Sequence, residues 1–191
     1  GVAMVLSLSL LVLAGIAYSD ALAQALFELT GKDVTLTGRL YLWRVAQALV
    51  AEQPLLGVGY QGFWVPGYPP AEALWADFGI VTRSGFNFHN TYLSNAVEVG
   101  MIGVTLQTLI LGSAFWLSGR LALTSGDQSA ALSFAVIAML LAMTMLEVPL
   151  FFQFNLASVL VVATIVHALR GLRAIGASAG SARSVPTRSA G

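Results

Sequence analysis

The sequence predicts an all-α fold, a polytopic transmembrane helical bundle with one large extracytoplasmic loop, and three observations carry that expectation. Of 191 residues, 57% are hydrophobic and only 9% charged, with a mean hydropathy of +0.80, whereas a soluble domain carries about 25% charged residues. The apolar residues gather into uncharged runs near the roughly 17 to 25 residues that a spanning helix needs. Between the first two runs the composition changes, and four of the six prolines and more than half of the charges fall there. A net charge of zero offers nothing to nucleic acid, and the lack of cysteine removes disulfides and thiolate metal sites.

The elements follow in order. Residues 1–18 form an uncharged first span. A signal peptide ending near Ala21-Leu22-Ala23 is the rival reading, but no positively charged region precedes the run. The chain opens on Gly directly into this run, which reads as a piece of a longer polytopic protein. Residues 19–89 are an extramembrane loop too long for a bare connector. Within it, Thr37 is expected to cap a helix in which Leu42, Val45, Ala46 and Leu49 share a face, ending before Pro54.

Arg39 then falls in the first turn, where the helix dipole disfavours a cation. An anion held by that turn and the guanidinium would explain it; a solvated arginine, or one paired with Asp33, is the plainer alternative. The glycines of Pro54-Leu55-Leu56-Gly57-Val58-Gly59-Tyr60-Gln61-Gly62 lack the strand-helix setting of a dinucleotide site, so a tight turn is expected. Trp64, Tyr68, Trp75 and Phe78 suit the headgroup level, which suggests an interfacial segment over residues 60–78.

Asn90 should cap a helix opened by Thr91, with His89 just outside its first turn. On that helix Thr91, Ser94, Asn95, Glu98 and Thr105 fall on one side, with Ile102 among them, and Gly100 and Gly103 on the other, a face that allows close helix contact. The helix is expected over residues 90–118, crossing from Val99 onward, with a loop after Gly119. Residues 129–170 hold two further spans separated by a turn at Glu147, Pro149, Gln153 and Asn155. His167 reads as a helix C-terminal residue. The tail, residues 171–191, carries arginine and no acid and reads as disordered and cytoplasmic. Four spans then place residues 19–89 outside.

His89-Asn90, nine residues, Gly100, two residues and Gly103 resemble the histidine motif of the bacterial O-antigen ligase and polymerase superfamily. Thr37-Gly38-Arg39 with Trp43, followed by Pro54-Leu55-Leu56-Gly57-Val58-Gly59-Tyr60, resembles that family's arginine-bearing segment, and the wording is most similar to its exopolysaccharide-production branch. The resemblance implies a metal-independent, inverting glycosyltransferase at the outer face of the bacterial cytoplasmic membrane. Its partners would be membrane lipid, a donor glycan on undecaprenyl pyrophosphate, and an acceptor that is lipid A core or another lipid-linked glycan. Arg39 would hold the pyrophosphate, and His89 would contact the acceptor hydroxyl or the phosphate. Arg83 and Asn90 would be further substrate contacts.

That chemistry agrees with the residues. Negative charge grows on a pyrophosphate as the glycosidic bond breaks, so an arginine can stand where a divalent cation often does. An attacking hydroxyl must lose a proton, which an imidazole is suited to take. Two distant histidines and scattered carboxylates do not assemble a metal site by spacing, and no cofactor is expected. A capping role for His89, a polysaccharide-pathway transporter and a non-catalytic membrane subunit are the alternatives.

Overall fold

The computed structural model describes residues 34–150 and 155–183. The first span, the signal-peptide reading, Asp33 and Gln153 lie outside these residues. Five helices follow one another: α1 (Val34–Glu52), α2 (Pro69–Asp77), α3 (Thr91–Ser125), α4 (Gln128–Met143) and α5 (Leu156–Arg183), with no strand among the described residues. Helix α3 is the spine: α4 and α5 pack along it, and α1 packs on its first part.

Helices α3 and α5 are long and apolar enough to cross a membrane. Ile102, Leu106, Leu109, Ile110 and Trp116 of α3 and Val159, Val162 and Val166 of α5 are exposed, the pattern of a bundle that presents apolar side chains to lipid. Helix α4, with 16 residues, rises about 24 Å, short of a hydrocarbon core about 30 Å thick. Asp127 caps it by accepting from Ser129 N at 3.1 Å, and the Ser129 hydroxyl and amide hold its carboxyl below the usual carboxylate range. The chain leaves helical conformation between α4 and α5, where Glu147 and Pro149 predict a turn.

The decisive feature is a break in α3. Gly100 has φ 65° and ψ −172°, a conformation essentially reserved to glycine. In a straight helix, residues twelve apart are separated by about 18 Å along the axis, yet Asn95 Nδ2 donates to Gln107 Oε1; the two halves therefore fold toward each other at the break. The backbone groups the break releases are paired by the preceding loop. Val58 N donates to Val97 O at 2.9 Å, Gly59 N to Glu98 O at 2.8 Å, Met101 N to Pro54 O at 2.8 Å and Ile102 N to Leu55 O at 3.3 Å. Gly57, at φ 64°, lies against the backbone of Val97 and Glu98, and Gly100 against that of Leu55 and Leu56, so closely that a Cβ on either would collide with main-chain atoms.

Several expectations are corrected. Val34 already belongs to α1, so Thr37 lies inside the helix and Arg39 lies beyond the first turn, without an N-terminal anion cradle. The aromatic residues of the loop pack on one another instead of spreading over a headgroup plane. Phe63, Trp75 and Phe88 are buried with Leu42, Leu74 and Leu93, and Trp64 touches the Phe63, Phe86 and Phe88 rings with centroids 4.7 to 5.2 Å apart. Helix α3 runs through Gly119, which meets the Phe134 ring of α4, and stops at Ser125 with left-handed Gly126, a preferred helix end. Helix α5 continues to Arg183, because alanine and arginine sustain a helix. His167 is accordingly mid-helix, within electrostatic reach of Asp127.

Candidate functional site

Asn90 has extended backbone, φ −159° and ψ 118°, and its side-chain oxygen accepts from Tyr92 N and Leu93 N, both at 3.0 Å. The cap expected from sequence is therefore present. The same carboxamide donates from Nδ2 to Met145 O at 3.2 Å, so both of its ends are engaged by the protein. Thr91 extends the seam: its N donates to Thr144 O at 2.9 Å, and its Oγ1 to Glu147 O at 2.7 Å. The start of α3 is thus stitched to the turn that ends α4.

His89 sits one residue outside this cap, between buried Phe88 and buried Asn90. Its φ is 49°, a left-handed conformation uncommon for a residue with a side chain. Asn87 Oδ1 accepts its N–H at 2.6 Å. The ring is aimed at the turn, where Nδ1 lies 3.2 Å from Glu147 Oε2. A carboxylate only accepts, so Nδ1 carries a proton, and in the neutral imidazole the lone pair is on Nε2.

Arg39 reaches the same carboxylate from α1. Its Nη2 lies 3.0 Å from Glu147 Oε1, and its Nη1 donates to Leu146 O at 3.2 Å. Arg39 and His89, fifty residues apart, are joined through Glu147, one on each oxygen. The three side chains are 27%, 29% and 45% exposed for Arg39, His89 and Glu147, open enough to meet a substrate, and so exposed a pair adds at most about 1 kcal/mol to stability. Arg83 is elsewhere: its Nε is 2.9 Å from Glu72 Oε2, and no described contact joins it to the Arg39, Glu147 and His89 chain. Among the described residues no group of histidine and acid could hold a metal ion.

The O-antigen ligase family profile matches residues 1–107, more than half of the chain. The chain belongs to the O-antigen ligase family. It is 41% identical over 131 residues to the exopolysaccharide production protein ExoQ of Rhizobium meliloti (strain 1021), covering 68% of this chain and 30% of that protein. It therefore spans less than a third of that relative's length. No solved structure matches the chain.

The segment matched to the O-antigen ligase family contains Arg39, Arg83, His89, Asn90, Gly57 and Gly100 but ends before Glu147. Sequence reasoning treats Glu147 only as a turn residue. The signal that could have singled it out is an ionisable side chain within a long apolar stretch, which is costly and so usually functional. Beside the chain of three residues, the first half of α3 turns Ser94, Asn95 and Glu98 into a cavity of about 500 Å³ that Asn87 and Val148 also line. Thr105, expected on the same face, lies past the break and is exposed.

Proposed function

We propose that the full-length protein is a membrane glycosyltransferase of the O-antigen ligase type, acting in exopolysaccharide production. It would move a glycan from an undecaprenyl pyrophosphate carrier to the hydroxyl of another lipid-linked glycan, or of lipid A core, at the outer face of the bacterial cytoplasmic membrane. Family membership and the likeness to ExoQ support the class. The observation that carries the chemistry is the Glu147 carboxylate held between Arg39 and His89 Nδ1.

In this reading His89 Nε2 takes the proton of the acceptor hydroxyl as its oxygen attacks the anomeric carbon. The bond from that carbon to the pyrophosphate oxygen breaks, and its electron pair leaves with the phosphate. Attack from the face opposite the leaving group inverts the centre in one displacement. Glu147 fixes the imidazole tautomer and balances the imidazolium that forms, a contribution of roughly 10² to 10⁴ for the proton transfer as a whole. The guanidinium of Arg39 supplies the electrophilic partner for the pyrophosphate. Orientation is supported by charge: Gly171 meets Leu121 near the end of α3, so Arg170 and Arg173 lie at the bundle end away from His89, where cytoplasmic arginines are expected.

The test is transfer by the full-length protein in membranes at saturating donor. His89→Ala should lower the rate by about two to four orders of magnitude at unchanged protein level. Wild-type activity should rise with pH as the imidazole loses its proton. Activity that falls over that titration would assign His89 to a cationic phosphate contact instead, and an active His89→Ala protein would remove it from the mechanism.

A further inference from the structure

The cavity beside His89 is not used by the transfer chemistry, and its walls are specific. At about 500 Å³ it falls among pockets that hold small ligands, roughly 300 to 1,000 Å³. Ser94 is 6% exposed, and its Oγ has no hydrogen-bond partner among the described residues. A buried hydroxyl left unpaired is destabilising, so its persistence at a cavity wall points to a partner that arrives with a ligand. Glu98 is 8% exposed and accepts from Gln61 N at 2.9 Å, which uses one of about four acceptor positions on a carboxylate. The turn-rich loop presents Gln61 from a left-handed conformation, φ 53°, so the wall is held in place by backbone geometry as well. The Trp64 and Phe86 rings line the same cavity and meet edge to face, with centroids 5.2 Å apart.

A ligand for these walls must bring several donors to a nearly buried carboxylate, one group to pair with a serine hydroxyl, and a flat apolar face to lie on aromatic rings. It must also be uncharged or cationic, because a second carboxylate beside Glu98 would be repelled. A lipid tail fails on the first two counts, leaving Ser94 unpaired and the further acceptor positions of Glu98 unused. We propose that this cavity is a subsite for a neutral pyranose, with Glu98 accepting from two adjacent ring hydroxyls, Ser94 bonding a third group, and the aromatic wall of Trp64 and Phe86 packing against the sugar's C–H groups. Glu98 is then the residue that excludes acidic sugars. The ligand class rests on the glycan-transfer reading, but the binding itself does not require His89 chemistry.

The experiment uses the full-length protein in a detergent without a sugar headgroup. Saturation-transfer NMR is recorded with methyl glycosides of glucose, galactose and mannose as probes, each against its methyl uronide. At least one neutral glycoside should receive saturation at its ring protons, and the uronides should not. Ser94→Ala should raise the thermal midpoint of the sugar-free protein while weakening that signal severalfold, an opposition that a purely structural serine does not produce. Glu98→Gln, which keeps an acceptor for Gln61 N, should let the matching uronide bind. His89→Ala should leave the signal intact, so loss of transfer in that variant bears on the mechanism and not on the subsite. Silence of all three neutral glycosides, equal binding of the uronides to wild type, or an unchanged signal in Ser94→Ala would overturn the proposal.

Discussion

Replacing Gly100 by alanine tests the architecture that holds the site. Alanine there must adopt φ 65° and ψ −172°, which costs about 1 to 3 kcal/mol for a residue with a side chain. Its methyl would also fall on the backbone of Leu55 and Leu56, so the loop must withdraw. Withdrawal breaks the four hydrogen bonds that Pro54, Leu55, Val58 and Gly59 make across the break, each worth about 0.5 to 1.5 kcal/mol net. The expected loss is about 3 to 9 kcal/mol, comparable with the whole stability of a typical domain, about 5 to 15 kcal/mol. Gly126 is the matched control. It shares φ 65°, but nothing lies within 4 Å of its missing Cβ, so alanine there costs only the left-handed penalty of about 1 to 2 kcal/mol. Thermal unfolding in detergent micelles, with limited chymotrypsin cleavage at Leu55, Leu56 and Tyr60 as a local readout, compares the two. Equal midpoints and equal cleavage for Gly100→Ala and Gly126→Ala would refute the inserted-loop account.

Three further outcomes are expected. Asn90→Ala should lose about 1 kcal/mol of stability with the cap, more than His89→Ala loses, as read by the same unfolding assay; the reverse order would make His89 the structural residue. Arg39→Lys keeps the charge but cannot serve Leu146 O and Glu147 in one fork, so its transfer rate should fall nearly as far as that of Arg39→Ala; a fully active lysine variant would show that charge alone matters. Reporter fusions after Arg188 and within residues 71–77 should report opposite sides of the membrane, and agreement between them would break the proposed orientation.

What was legible in the sequence was local. Asn90 before Thr91 is a cap by side-chain length alone, and the helical period places Ser94, Asn95 and Glu98 on one face, where the structure has them. The same local logic misled at Thr37, a good cap residue that lies inside α1 because helix formation had already begun at Val34. The break at Gly100 was not legible, since the apolar pattern runs through it and a glycine on a helix face reads as a packing contact. What opens the helix is a backbone segment more than forty residues earlier, whose N–H and C=O groups complement those released. Glu147 joined the site for a similar reason: its partners are Arg39 of α1 and His89, two residues before α3, and no spacing rule links them. The loop aromatics read as a bilayer-surface segment because an indole suits either a headgroup layer or another ring, and only the tertiary neighbours decide.

The inserted loop also bears on how the chain is made. Residues 54–59 leave the ribosome before residues 97–102, so the segment that receives the released hydrogen bonds already exists when the broken helix emerges. Until the two meet, a helix broken at Gly100 would leave the Val97 and Glu98 carbonyls and the Met101 and Ile102 N–H groups without these partners, a cost that hydrocarbon offers no water to relieve.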